Sequence, residues 1–383
     1  MSAPQNIVAH QQSSFAMKPM GFDSFIGNRA VVDRLRGMLA RDRFPHAVIL
    51  AGPAGAGKYT LAQMIAKAMN CLDPPPGEPD FCGRCSNCLR IGEANHLDAR
   101  FTEAVEAREA LRETDKKDTR ILVQTHPDVL IIPPDPPQMM IKVDQVRHVT
   151  SSIYFRPTHG RHRVYIFTAS AFMKEAANAL LKVLEEPPEF ATLFLLAENS
   201  GALLPTIRSR CIILHLAPLP VEEIERELAK SHPDWTPRQR ELVARLSGGA
   251  IGCARSFHLE SYLAARQDAL TLLGTAIHPD DHSPLFHATE TYRAGAEGKE
   301  KIDRLLRAAY GVLDDLLAVK SSTPELVRNT DIAPELHRLA AAIDFAWIAR
   351  ASERLGEVEA GMRRNLLRSL SLDAVTAGLE IQS

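Results

Sequence analysis

The chain has 383 residues, a hydrophobic fraction of 45% and a formal net charge of −2. That length allows two or three domains with real cores, and the balanced charge excludes a chain built throughout to bind polyanions, leaving nucleic-acid contact to local patches. No apolar run reaches the roughly 18 residues of a membrane-spanning helix; residues 1–20, MSAPQNIVAHQQSSFAMKPM, lack the apolar core of a secretory signal and are expected to form a flexible polar tail, in a cytoplasmic protein.

The first predicted strand is PHAVILAG, Pro45 to Gly52, a short apolar run ending in glycine. GPAGAGKYT follows, with Gly52, Gly55, Gly57 and Lys58 in the pattern of a phosphate-binding loop. Where that pattern needs a small hydroxyl for Mg²⁺, the chain has Tyr59, whose oxygen sits on a rigid ring. Thr60 has a suitable oxygen, but one step along a helix turns it by about 100°. Leu61, Ile65 and Met69 then recur at helical spacing.

Four of the six cysteines fall in the next window: Cys71, Cys82, Cys85 and Cys88. In a reducing cytoplasm four thiols this close argue against disulfides and for a tetrahedral structural Zn²⁺ site, module 71–88. An iron–sulfur cluster and four unrelated buried cysteines are the alternatives. Cys211 and Cys253 stand alone and read as packing residues. Residues 96–124 are densely charged and read as an exposed helix plus linker, a solvated insertion.

Further strands are expected in HPDVLIIPP, HRVYIFTAS, TLFLLAENS and the run after LLPTIRSRC, with helices in IKVDQVRHVTSSIYF and KEAANALLKVLEEPP between them. This alternation predicts an α/β fold, a parallel sheet with both faces covered. The basic run RPTHGRHR, Arg156 to Arg163, is either a solvated loop or a contact to DNA phosphates. Beyond about Pro220 only helices are expected, continuing from about Ser283 with Leu305, Leu306, Ala309, Leu313, Leu336, Leu339 and Ile343 at helical spacing.

HAVILAGPAGAGKYTLA, the cysteine module, HPD, NALLKVLEEPP and TIRSRC occur in this order, and over about residues 21–260 the chain resembles the bacterial clamp-loader subunits of DNA polymerase III, members of the AAA+ family. The resemblance implies an AAA+ domain at 21–216, a helical lid at 217–278 and a helical collar for oligomerisation at 279–383. It also implies tau/gamma and delta subunits, the sliding clamp and primed DNA as partners, with no membrane. Two kinds of subunit share this plan: the ATP-hydrolysing tau/gamma motor and the delta-prime stator.

Motor subunits have an Asp-Glu pair after the strand matching RVYIF; here Thr168 and Ala169 stand there, and no carboxylate follows until Glu175. Alanine neither binds metal nor acts as a base. The arginine of the motor's G-x-x-R element, which touches the γ-phosphate, falls on Gly252, with Arg255 three residues later. These departures, with Tyr59, favour a stator that binds ATP or ADP weakly or not at all. Arg210 of SRC remains, and in this family that arginine serves a neighbour's nucleotide as an arginine finger. With no essential partner expected in its own domain, Arg210 is free for that role. A divergent tau/gamma motor is the alternative, and a zinc-dependent nucleic-acid-binding protein with a relic loop is a third reading.

Overall fold

Strand β1 (Ala47–Ala51) is buried along its whole length. Successive side chains of a strand point to opposite faces. Val48 and Leu50 join one core, with Val32, Leu35, Leu61 and Ile65, and Ala47, Ile49 and Ala51 join a second on the other face. An unbroken apolar strand is what a sheet covered on both sides requires.

The computed structural model describes residues 21–41, 43–278, 296–362 and 375–379. The tail expected at 1–20 and the helical reading of 283–295 lie outside the described residues. The chain divides into two compact units, 1–218 and 219–383. No described helix is long and apolar enough to cross a membrane.

In the first unit, β2 (Val123–His126), β3 (Val129–Ile132), β4 (Arg163–Phe167), β5 (Ala191–Ala197) and β6 (Ile212–His215) join β1 in one sheet of order β2-β3-β4-β5-β1-β6. Five of the strands run parallel, with Ala51 level with Ala197. Helices α1 (Arg29–Ala40) and α2 (Lys58–Asn70) cover one face, and α6 (Val143–Ser152) and α7 (Lys174–Glu185) cover the other.

The sheet is parallel as expected except at one edge, where β2 is antiparallel to β3. Parallel neighbours need a long crossover, whereas Pro127–Asp128 joins these two as a tight hairpin. The stretch 96–124 is more structured than a helix plus linker: it holds α4 (Leu97–Glu109), α5 (Glu113–Asp118) and the start of β2. Between α2 and α4 lies the short helix α3 (Ser86–Gly92). Arg108, buried on α4, reaches Asp135 at 2.7 Å and anchors the insertion to the segment after β3.

In the second unit, α9 (Val221–Ser231) packs with α10 (Pro237–Leu246) and α11 (Ile251–Arg255). Thr236 and Gln239 form a capping box that starts α10. Helix α12 (Leu259–Ile277) lies before the boundary expected near 278, yet from Ala265 onward it packs into one cluster with the later helices. These are α13 (Ala296–Lys320), α14 (Ala333–Ala342) and α15 (Phe345–Met362). Ile302, Leu305, Leu306, Ala309, Leu313 and Leu316 form the buried stripe of α13. The buried Trp347 indole donates to Leu379 O at 2.8 Å.

Candidate nucleotide loop and metal centre

The loop after β1 is rooted in the sheet. Gly52 N donates to Ala197 O at 3.1 Å and Leu216 N to Ala51 O at 2.7 Å. A Cβ on Gly52 would lie 2.6 Å from Leu216 O, a backbone atom that cannot yield. Gly57 has φ +89°, which an L side chain resists, and it caps α2 without a side-chain bond. The first turn of α2 therefore presents backbone N–H groups, and the helix dipole favours an anion there. Lys58 Nζ lies across the loop, donating to Gly52 O at 2.6 Å and Pro53 O at 2.7 Å. Gly52, Gly55, Gly57 and Lys58 thus form a cradle that suits a phosphate.

Tyr59 turns away from that cradle. Its hydroxyl donates to Ala94 O at 2.7 Å and accepts from Gln63 Nε2 at 2.9 Å. Burial pushes its pKa up, so it stays a neutral phenol. Ala94 follows the cysteine module in a single 3₁₀ turn, Glu93–Asn95, so Tyr59 ties α2 to that module. Thr60 is exposed and lines a cavity of about 350 Å³ between α2 and the module, beside Lys67 and Asn95.

At the end of β4, Thr168 N donates to Ile132 O at 3.1 Å, and Ala169 packs on the core under α7. Glu175 is exposed in the first turn of α7. In the second unit Gly252 is exposed on α11, and Arg255 lies 3.6 Å from Glu227 of α9.

Arg210 has a partly exposed partner in its own unit. Nη2 meets Glu185 Oε1 at 2.6 Å, and Nη1 donates to Thr206 O at 2.9 Å. The reason is local. Helix α8 (Pro205–Arg208) ends beside the C-terminus of α7, where Glu185 points outward. Neighbouring Cys211 packs partly against the core, and burial raises its thiol to about 12. Cys253 is exposed, so it is not a packing residue.

Cys71, Cys82, Cys85 and Cys88 converge, with all four Sγ atoms within 4.8 Å of one another. A tetrahedron of ~2.3 Å metal–sulfur bonds has edges of about 3.8 Å, and Cys71 and Cys85 are 4.0 Å apart. Backbone N–H groups point at the sulfurs: Cys82 N at Cys71 Sγ (3.3 Å), Cys85 N at Cys82 Sγ (3.2 Å) and Cys88 N at Cys85 Sγ (3.5 Å). Such donors favour thiolates. Burial pushes Cys85 up, but N–H groups of Cys88 and Leu72 and the neighbouring thiols outweigh it and bring it to about 6. Burial raises Cys71 and Cys88, a cost that a bound cation would offset. The four residues can hold one metal ion.

The basic run is tightly held. Buried Asp128 accepts from Thr158 N, His159 N and Gly160 N at 2.7 to 2.8 Å, and Asn70 Oδ1 accepts from Arg161 N and His162 N. Neither role is legible locally, since the partners lie about 30 and 90 residues away in the chain.

The model of the family described as DNA polymerase III, delta subunit, matches residues 27–220, half of the chain. The chain belongs to that family. It is a clamp-loader AAA+ subunit of the tau/gamma/delta-prime type. It is 28% identical over 355 residues to DNA polymerase III subunit tau of Escherichia coli K12, covering 91% of this chain and 45% of that one. It is 32% identical over 220 residues to DNA polymerase III subunit delta' of Pseudomonas aeruginosa, covering 57% of each. A solved gamma-subunit-related protein from Thermotoga maritima covers 91% of the chain at 16% identity, with 98% of its own length covered and a TM-score of 0.38. This clamp-loader subunit spans about half the length of the tau relatives it matches.

Proposed function

We propose that this clamp-loader subunit is of the delta-prime kind, a stator that does not hydrolyse ATP. The observation that carries this is the Tyr59 hydroxyl, which is bound to Ala94 O instead of standing where a metal-binding hydroxyl is needed. The uncharged Thr168 and Ala169 after β4, and Arg255 engaged with Glu227, support it. The loop keeps Lys58 and its glycines, so weak ATP or ADP binding fits the reading. The ion at the four cysteines is a structural Zn²⁺, since protein fills all four positions.

In this reading the stator assembles with tau/gamma and delta subunits into a heteropentamer that loads the sliding clamp on primed DNA. The helices of 217–278 act as lid and those of 279–383 as collar. Arg210 reaches the ATP site of a neighbouring motor in trans. The experiment is steady-state ATP turnover by the purified chain: background rates are expected, and hydrolysis abolished by Lys58→Ala would overturn the stator.

A tau/gamma-type motor is the second reading, favoured by two observations. The alignment with tau covers 91% of the chain. Glu198 follows Ala197, which is level with Ala51 at the root of the loop, and so puts a carboxylate just past the end of the strand beside β1. Turnover lost in both Lys58→Ala and Glu198→Gln would favour the motor.

A further inference from the structure

We propose that Lys67 is the half-buried cation that, beside the exposed Arg84, balances the charge of the metal-bound cysteines and helps set how tightly the ion is held. The inference rests on the metal reading of Cys71, Cys82, Cys85 and Cys88. Four thiolates around a divalent ion carry two negative charges in excess. Burying such a site is costly unless a positive group lies close.

Three of the four ligands lead to the Lys67 ammonium. Lys67 and Cys71 are one turn apart at the end of α2, on the same face. Cys88 and Gly92 are one turn apart on α3, and Lys67 Nζ lies 3.4 Å from the position a Gly92 Cβ would take. Phe81 precedes Cys82, and Lys67 Nζ sits over its ring, 5.8 Å from the centroid. The ammonium is thereby held among the neighbours of Cys71, Cys82 and Cys88.

Among the described residues no carboxylate lies within 4.0 Å of Lys67 Nζ, and the hydroxyl and amide groups lining the same cavity, from Ser24, Thr60, Gln63 and Asn95, are uncharged. Arg84, the cation inside the module, is exposed; it pairs with Asp73 at 2.9 Å and also reaches Cys82 from the solvent side, whereas Lys67 is half-buried. Burial lowers the Lys67 pKa while Cys88 acts in the opposite sense, as an attractive partner does. Partners just outside the ligand shell are worth roughly 10–100-fold in metal affinity.

The test is a charge series in the full chain: Lys67→Arg, Lys67→Gln, Lys67→Met and Lys67→Glu. Zinc affinity is read by competition with a chelator of known strength, and coordination by the thiolate-to-cobalt absorption of the Co²⁺ form. The expected order follows charge rather than volume. Arg matches wild type, Gln and Met bind about 10–100-fold more weakly, and Glu is weaker still, with the cobalt band unchanged in position. Met and Glu variants that hold zinc within a few-fold of wild type would remove the role of Lys67. A loss shared equally by Arg would show that packing, not charge, is at stake. Wild-type protein that binds neither zinc nor cobalt would remove the metal reading itself.

Discussion

Glu185 and Arg210 meet at 2.6 Å, so NALLKVLEEPP and TIRSRC, far apart in the chain, close on each other in one ion pair. Both side chains remain partly exposed, 52% and 34%. Solvent screening holds a pair of this kind to about 0–1 kcal/mol. Arg210→Ala should therefore shift the unfolding midpoint of the isolated chain only slightly. In a reconstituted complex the same change should silence one neighbouring ATP site, where fingers of this type contribute about 10³–10⁵ in rate. Total turnover should fall in part, because other sites keep their own arginines. An intact mutant complex with normal turnover and clamp loading would show that Arg210 serves only Glu185.

Tyr59→Phe removes the bond to Ala94 O and leaves that carbonyl and Gln63 without their phenol. The expected cost is about 1–3 kcal/mol, read as a lower urea midpoint. ATP turnover should remain at background. A midpoint unchanged from wild type would mean that water replaces the hydroxyl without loss.

Protein purified without added metal should carry one zinc per chain by elemental analysis. Cys88→Ala should lose that zinc and destabilise the first unit, because Cys88 is buried against the core that contains Ile65 and Ile91. The second unit has its own core and should stay folded. Iron in place of zinc would overturn the assignment.

His126 is fully buried, and burial lowers its pKa from 6.5 against an opposing pull from Asp128. Its Nδ1 accepts from Asp128 N at 3.1 Å, which places the proton on Nε2, where no acceptor lies within reach among the described residues. The folded state thus refuses a proton that the unfolded chain takes up below about pH 6.5. Stability should be complete above that pH and decline as pH falls toward the folded-state pKa. His148, also lowered by burial, acts in the same sense. His126→Gln should flatten the dependence of the urea midpoint between about pH 5 and 7. Asp128 contributes only at lower pH: burial pushes its pKa up, but three backbone N–H bonds outweigh this, and the stability they bring is lost as pH falls below 3.8. An unchanged slope in His126→Gln would assign the pH dependence to other groups.

Local patterns could be read directly. The apolar run Ala47–Ala51, the glycines of the loop and the cysteine spacing each encode their structure within a few residues, and all appear as expected. Long-range choices could not be read. The direction of the Tyr59 ring depends on Ala94, 35 residues away, and the partner of Arg210 lies 25 residues back. Strand β2 was hidden because VQTH is short, half polar and set at the end of a charged stretch. The packing of α12 with α13 depends on helices that follow it, which no pattern inside α12 reveals.

If the chain is the stator proposed, the position of Tyr59 makes hydrolysis hard to introduce. Placing a serine there would supply the small hydroxyl that the phosphate-loop pattern calls for. The same change would unfasten Ala94 from α2 and loosen the segment leaving the cysteines. A single substitution toward hydrolysis therefore weakens the scaffold before it gains any chemistry, since Thr168 and Ala169 would still lack an acid. On that reading a gain of hydrolysis would need at least two coordinated changes, the first of them a loss of stability, so packing would act here as a ratchet against catalysis.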